Sequence, residues 1–177
     1  MSVHYSHPSD FEHFVLKNDS QAVAIDTSEA CRLAALSMVR QAARSIDIVS
    51  RQLDPQMYDN RDFCEAVRQL IVASRRARVR VLLRHTDPVV KRDHRLVALS
   101  QRLSSFIEMR VPADDFHDYN AAFLIVDGAG VVYRTLSDDF EGTVYFNSPR
   151  MARDLSQQFE AMWQTAMPDA NLRRANL

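Results

Sequence analysis

Glycine is scarce in this sequence: the chain has 177 residues and three glycines, all of which lie after residue 127. Loops that cradle phosphate groups require glycine, because a backbone without side chains can approach the anion closely. A Walker loop and a G-x-G-x-x-G dinucleotide-binding segment are therefore absent. Most nucleotide-binding functions are excluded on this ground.

Cysteine is also rare, since Cys31 and Cys64 are the only two. Both lie within apolar patterns that have helical spacing. A disulfide framework or a zinc site requires more cysteines at closer spacing. His4, His7 and His13 do not supply such a site either, because they lack the i, i+4 spacing of zinc-binding histidine pairs. We therefore expect two buried free thiols, no metal ion and no cofactor.

Long apolar runs and an excess of charge are missing as well. No apolar run approaches the roughly 20 residues of a membrane-spanning helix, and residues 1–10 lack the apolar segment of a signal peptide. The 22 basic and 23 acidic residues give a formal net charge of -1. The molecule as a whole therefore has no strong electrostatic attraction to nucleic acids or membranes. We expect a cytoplasmic protein that does not bind membranes, and nucleic acid is not its favoured partner.

The chain is built from short apolar runs that alternate with amphipathic segments, a pattern typical of α/β layer architectures. Its length fits one compact domain. We predict a mixed, mostly parallel sheet flanked by helices in residues 20–166, preceded by an N-terminal arm (1–19) and followed by a C-terminal tail (167–177). The predicted strands are 21–25, 45–50, 78–84, 106–111, 121–127, 131–134 and 143–146.

Local signals place helices between these strands. Asp26, with Glu29 three residues later, predicts the capped start of the first helix. A cap residue followed by proline starts a helix at two further places. The later helices, predicted from these starts and from apolar spacing, cover 60–76, 88–103 and a final segment from 149.

Four segments, AARSIDI, EAVRQLIVASRRARVRVLL, NAAFLIVD and SQQFEAMW, together resemble one half-domain of the phospholipase D superfamily. The segment AARSIDI resembles the family's entry from a helix into a strand, and EAVRQLIVASRRARVRVLL resembles its second helix with the strand that follows. NAAFLIVD resembles the family's signature strand, and SQQFEAMW resembles its closing helix. The resemblance covers most of residues 20–166 and implies the α/β fold of a phospholipase D half-domain.

The segment that resembles the signature strand departs from the family pattern where the chemistry lies. The family motif is His-x-Lys-x4-Asp; aligned on Asp127, its histidine falls on Asn120 and its lysine on Ala122. A downstream Gly-Ser-x-Asn segment falls on 134–137, which keeps a hydroxyl group but loses the glycine and the asparagine. The family reaction needs the imidazole as nucleophile and the lysine to neutralise the phosphate. An asparagine is not nucleophilic and an alanine has no charge, so this reaction is not expected here.

A second group of polar residues directly follows the predicted strands. Ligands of open α/β sheets bind outside the carboxyl ends of parallel strands, and Arg51, Arg84 and His85 lie at such ends. The implied fold would bring them near three positions of the degenerate motif, namely Asn120, Thr135 and Ser137. Arginine presents a forked donor to phosphate or carboxylate. These residues are therefore either a small anion-binding pocket or ordinary polar strand ends.

An arginine-rich run raises the question of nucleic-acid binding. Its members are Arg75, Arg76, Arg78, Arg80 and Arg84. Such a stripe could neutralise phosphates. However, no aromatic residues that would stack on bases lie between the arginines. We favour the interpretation that these are salt-bridged structural arginines.

The function we favour is that of a non-catalytic phospholipase D-like domain, a ligand-binding or assembly module for a small anionic or phosphorylated ligand. The family's site resembles two half-domains that face each other, and this chain has one, so the resemblance implies a homodimer. Two alternatives stay open. One is an enzyme of altered chemistry that acts on a phosphate-containing substrate through His85 or His94. The other is nucleic-acid binding without cleavage.

Overall fold

The structure is a computed structural model that describes residues 10–173. It confirms the α/β class, because a seven-stranded mixed sheet is covered by helices on both faces. The strands are β1 (Ala22–Ile25), β2 (Ser45–Ser50), β3 (Arg78–Leu83), β4 (Ile107–Arg110), β5 (Ala122–Val126), β6 (Gly130–Arg134) and β7 (Gly142–Tyr145). The helices are α1 (Ser28–Arg40), α2 (Pro55–Tyr58), α3 (Arg61–Ala73), α4 (Asp87–Lys91), α5 (Arg95–Arg102), α6 (Pro149–Thr165) and α7 (Ala170–Arg173).

The strands follow the order β1-β7-β6-β5-β2-β3-β4 across the sheet. Strands β2, β3 and β4 are parallel neighbours, but four of the six neighbouring pairs are antiparallel, so the sheet is mixed as predicted and not mostly parallel. Because β5 runs antiparallel to β2, the start of β5 lies beside the end of β2. One end of the sheet therefore gathers the carboxyl ends of β2 and β3, the start of β5 and the loop that follows β6.

Strand β5 lies in the middle of the sheet and is buried along its whole length. Phe123 and Ile125 pack on the side of α6. Leu124 and Val126 belong to the larger cluster on the opposite face, which includes the buried residues of α1, α3 and α5. A strand covered on both faces can be apolar at every position. The continuous apolar run of this segment predicted that placement correctly.

The cap of α1 differs from the prediction. The Oγ1 atom of Thr27 accepts a hydrogen bond from the amide N of Ala30 at 3.1 Å, so Thr27 and not Asp26 is the N-cap. Both residue types are good caps. The one-residue shift is decided by the point at which β1 ends, and Ile25 is its last residue.

The predicted single helix over 88–103 is wrong, because it is two helices. Helix α4 ends at Lys91, and Asp93 has a positive φ of 51° that cannot continue a helix. The next residue, His94, then caps α5 through its side chain. The apolar spacing that suggested one helix arises because both short helices turn their apolar faces to the same core.

The segments on either side of the predicted domain also contribute to the core. Phe11, Phe14 and Leu16 are buried in it, and the ring of Phe14 stacks on that of Phe146 with 5.0 Å between centroids. Leu172 of α7 is buried as well. The division into arm, domain and tail remains a prediction. His4 and His7 lie outside the described residues.

Both cysteines are free thiols. Cys31 is buried and Cys64 is half-buried, so the expected burial is complete only for the first. Burial raises the pKa of Cys31 to about 12 and that of Cys64 to about 11. Neither side chain is a thiolate near neutral pH. In residues 10–173 no helix is both long and apolar enough to cross a membrane.

Candidate anion-binding site

Arg51 and Asn120 meet at the end of the sheet where the predicted site residues were expected. Arg51 directly follows β2, and its Nη2 donates to Oδ1 of Asn120 at 3.0 Å. The backbone carbonyl of Asn120 accepts from the amide N of Ser137 at 2.7 Å. The register of β2 with β5 and of β5 with β6 thus brings three distant segments together. We call this region the strand-end site.

Arg84, just after β3, is the second cation of the strand-end site. Its guanidinium donates to the carbonyl oxygens of Phe116 and His117, and Nη2 also donates to that of Tyr119 at 3.1 Å. Carbonyl oxygens accept from three of the five N–H groups of this guanidinium but carry no net negative charge. Burial, together with the positive charge of the nearby Arg51, lowers the pKa of Arg84 from its ordinary value. The charge of Asp118 partly opposes this lowering of the pKa, but no carboxylate in residues 10–173 lies at ion-pair distance from the half-buried guanidinium.

A small cavity opens between these arginines. It has a volume of about 20 Å³, and Arg51, Arg84, Tyr119 and Ser137 are among its lining residues. The Oγ atom of Ser137 is buried and has no hydrogen-bond partner within the described chain. A space of this size holds about one water molecule. An unsatisfied buried hydroxyl calls for such a partner, either a water or an oxygen atom of a ligand.

Arg51 also forms the outer rim of the site. Its Nη1 lies 2.7 Å from both carboxylate oxygens of Asp138. Asp138 is 71% exposed, so the pair is solvated and weak. An incoming anion could displace this carboxylate at little cost.

The remaining predicted residues do not join this cluster. His85 and Thr135 are exposed, and their side chains form no hydrogen bonds within the described residues. His85 is connected only through its backbone N, which donates to the carbonyl of Arg51 at 2.7 Å. Both side chains are free to face a ligand or a second subunit.

Asp127, the position that matches the family aspartate, lies at the opposite end of β5. Oδ1 accepts from the amide N atoms of Arg44 and Ser45, and Oδ2 accepts from that of Ala43 at 2.8 Å. Lys17 Nζ lies 3.1 Å from Oδ2, and the carboxylate is fully buried. Burial alone would raise its pKa, but these hydrogen bonds outweigh it and lower the pKa. Asp127 is placed to anchor the loop before β2 and is roughly 20 Å from Asn120 along the strand.

His94 cannot serve as an accessible base in this structure. It is 1% exposed. Nδ1 accepts from the amide N of Leu96 at 3.2 Å, and Nε2 lies 3.0 Å from the carbonyl oxygen of Leu53. Both ring nitrogens are therefore occupied, which fixes the neutral tautomer with its proton on Nε2. Burial lowers the pKa of His94, and this favours the same neutral form.

His117 is the histidine nearest in the chain to Asn120. The ring is exposed; its Nδ1 lies 2.8 Å from the carbonyl of Asp114 and its Nε2 lies 3.1 Å from Asp118. No imidazole in residues 10–173 hydrogen-bonds with Asn120, Asp127 or the guanidinium of Arg84. The described geometry thus offers no assembled histidine nucleophile at the strand-end site.

A buried ion pair beneath the site was not found by sequence reasoning. Arg134, where the family pattern has glycine, is 2% exposed, and its Nη2 lies 2.5 Å from Oδ2 of Asp54. Its Nη1 donates to the carbonyl of Asp139 at 2.8 Å. The backbone before Asp54 is shaped by Leu53, which has a φ of 55°. Two features of the sequence could have indicated this pair. Arg134 ends an otherwise apolar strand, and Asp54 lies in a turn that follows another strand.

The arginine-rich run divides into three environments. Arg80 is buried under α6; its guanidinium bonds Asp47 at 2.8 Å and Glu160 at 2.7 Å and lies 4.6 Å from the ring centroid of Phe159. Burial works against this cation, but the two carboxylates raise its pKa. The salt-bridge interpretation is therefore confirmed for Arg80. It is wrong for Arg84, which binds carbonyl groups.

The first three arginines of the run contradict the same interpretation. Arg75, Arg76 and Arg78 are exposed and form no ion pair within the described residues. The sequence pattern failed here because carboxylates that could pair with them would have to come from neighbouring loops, and those loops contain none.

A family model described as "Domain of unknown function (DUF7931)" matches residues 27–175. The chain belongs to this family. No curated protein matches the sequence. Membership of this family establishes the evolutionary relationship of the chain and does not assign an activity.

Solved structures show the same fold at low sequence identity. The phospholipase D family member Nuc from Salmonella typhimurium is 16% identical with a TM-score of 0.59, and the match covers 84% of this chain and 96% of Nuc. NucT from Helicobacter pylori is 12% identical with a TM-score of 0.56 and coverages of 84% and 99%. The likeness confirms the predicted phospholipase D-like fold.

A DNA-binding protein also has this fold. TrmBL2, an archaeal chromatin protein described with a novel mode of DNA binding, is 15% identical with a TM-score of 0.60 over 86% of this chain. The chain spans 56% of the length of TrmBL2. At this level of identity the comparison establishes the fold alone.

Proposed function

We propose that this domain is a non-catalytic, cytoplasmic phospholipase D-like module that binds a small phosphate-containing anion at the strand-end site. The observation that carries the proposal is Arg84, a half-buried cation with no carboxylate at ion-pair distance in the described chain, beside Arg51 and the unpartnered Ser137 hydroxyl. Guanidinium groups bind phosphate oxygens through paired N–H donors. The amide of Asn120 and the hydroxyl of Ser137 add neutral hydrogen-bonding groups.

The same residues favour binding over cleavage. Asn120 and Ala122 stand where the family has its nucleophile and its lysine, and neither supplies that chemistry. The side chain of Asp127 is fully buried and accepts hydrogen bonds from backbone amides, so it is not placed to act on a ligand at the other end of β5. TrmBL2 offers a precedent for a DNA-binding protein with this fold, and it motivates including oligonucleotides among the ligands tested.

We expect phosphate compounds to raise the thermal unfolding midpoint of the protein. A ligand at a hundredfold excess over its dissociation constant adds about 2.7 kcal/mol, which corresponds to roughly 5–10 °C for a chain of this size. The screen would use inorganic phosphate, phosphorylated metabolites and short oligonucleotides in differential scanning fluorimetry. Arg84→Lys keeps the charge but loses the fork, and we expect it to reduce the shift.

Arg153→Lys is the matched control, because Arg153 is exposed on α6. An equal loss of the shift in this control would remove the strand-end site from consideration. Hydrolysis of bis(p-nitrophenyl) phosphate by the wild-type protein, abolished in His85→Ala, would contradict the non-catalytic assignment and favour the enzyme of altered chemistry.

We further propose that two copies face each other across the strand-end site, as the resemblance to paired half-domains implies. Exposed His85 and Thr135 at this end of the sheet are available for an isologous contact. Sedimentation velocity at micromolar concentration should give twice the 20.3 kDa mass of the chain. A monomer across the micromolar range would contradict the dimer and would leave the anion site to be formed by one chain.

A further inference from the structure

The turn between α3 and β3 exposes arginines at the end of the sheet opposite the strand-end site. Arg75 and Arg76 lie in this turn, Arg78 is the first residue of β3, and all three are exposed. Arg44, in the neighbouring loop before β2, is also exposed, and its carbonyl oxygen accepts from the amide N of Arg78 at 3.1 Å. We call Arg44, Arg75, Arg76 and Arg78 the basic pole.

Carboxylates do not neutralise the basic pole. The loops at this end that precede β2, β3 and β4 (41–44, 74–77 and 103–106) contain no aspartate or glutamate. None of the four arginines forms an ion pair within residues 10–173. Asp127 lies at this end, but its side chain is fully buried and paired with Lys17. The chain has a net charge of -1, so its positive charge is locally concentrated here.

Favourable interaction with the carboxyl ends of the nearby helices does not account for these four positive charges. Helices α1 and α5 end at this pole and already have Arg40 and Arg102 in their last turns. Helix α3 has no basic residue in its last turn, and Arg75 and Arg76 follow it closely. A helix carboxyl terminus carries about half a negative charge, which cannot balance a group of four guanidinium ions.

We propose that the basic pole binds the phosphate backbone of duplex nucleic acid. Arginine pairs with phosphate through two parallel N–H donors, and neighbouring strands and a tight turn place four such groups at one end of the sheet. The apolar side chains of the adjacent loop, Leu103 and Phe106, pack against the core. They are therefore not available to stack on unpaired bases or to insert into a bilayer. Contacts made by arginine alone suit a duplex backbone.

This inference goes beyond the strand-end site, because it concerns the other end of the sheet and a polymeric ligand. It predicts binding that depends on salt and not on sequence. With up to four phosphates neutralised, the slope of log affinity against log salt concentration should reach about -3.6. The measurement is the fluorescence anisotropy of a labelled 20-base-pair duplex titrated with the full chain at several salt concentrations.

The variant that tests the basic pole is Arg44→Gln with Arg75→Gln, Arg76→Gln and Arg78→Gln. Its matched control replaces four exposed arginines elsewhere, Arg61, Arg92, Arg150 and Arg153, with glutamine. Both variants have the same net charge. We expect the pole variant to bind the duplex at least tenfold more weakly at low salt with a nearly flat salt dependence, and the control to stay within about twofold of the wild type.

Three results would overturn the proposal. In the first, the two quadruple variants bind the duplex equally weakly. In the second, Arg84→Lys loses duplex binding while the pole variant retains it. In the third, the wild type binds phosphatidylserine vesicles but does not bind the duplex. The last would assign the pole to a membrane. Failure of inorganic phosphate to bind the strand-end site would leave the duplex result untouched, so the two proposals fail independently.

Discussion

Replacing Arg134 with methionine should lower the free energy of unfolding by about 3–5 kcal/mol. Asp54 is 6% exposed and Arg134 is 2% exposed, and each carboxylate or guanidinium contact between them is shielded from water. Methionine fills similar space but leaves the Asp54 carboxylate buried without its cation. The carbonyl of Asp139 also loses its donor. Urea unfolding followed by circular dichroism would measure the difference.

The double variant Asp54→Ala with Arg134→Met separates the cost of an unpaired charge from the cost of lost packing. Removing both partners should recover a large part of the stability, since no buried charge is then left alone. Arg150→Met at an exposed position should stay within about 0.5 kcal/mol of the wild type. A double variant as unstable as Arg134→Met would show that the cost lies in packing and not in the ion pair.

Replacing Asp127 with alanine should cost about 3 kcal/mol or more. Three backbone amides, those of Ala43, Arg44 and Ser45, would lose their charged acceptor, and a hydrogen bond to a charged group contributes a net of about 1.5–3 kcal/mol. Asp127 also has a φ of 53°. Alanine is less favourable there than aspartate or asparagine by about 1 kcal/mol. Thermal and urea unfolding would both report the loss.

Asp127→Asn is the informative companion, because asparagine tolerates the same backbone conformation and keeps one acceptor oxygen. We expect the free energy of unfolding of Asp127→Asn to lie between that of the wild type and that of Asp127→Ala. The pKa of Asp127 is lowered in the folded chain, so its contribution is present above the ordinary aspartate pKa and is lost as the pH falls through the folded value. Below that pH the wild type and Asp127→Asn should have nearly the same free energy of unfolding. A constant difference down to strongly acidic pH would contradict this assignment.

The contrast between Asp127 and Asn120 shows how a family motif can separate into unlike parts. In the sequence they lie seven positions apart and read as one motif. In the structure a buried strand stands between them, so one anchors a loop and the other faces the strand-end site. The aspartate therefore fits a structural role that is independent of any reaction.

The layers of the fold could be predicted from the sequence. Alternation and continuous apolar runs located the strands, because a side chain period of two, or its absence, reflects how many faces of a strand are covered. The apolar run 123–126 placed β5 in the centre correctly. Local capping signals located the start of α6 at Ser148, whose side chain accepts from the amide N of Met151. Such features depend on neighbours within a few positions of the chain.

The pairing of charged groups could not be predicted from the sequence, because it depends on how distant segments pack. Arg80 and Arg84 belong to one run, yet α6 covers the first and supplies Glu160, whereas the loop before β5 folds over the second and supplies carbonyl oxygens. Asp54 and Arg134 are 80 positions apart, and nothing local to either predicts the other. Electrostatic pairing depends on distances set by sheet register and helix placement. The sequence therefore predicted the sheet, while the roles of its arginines followed from how the layers close upon it.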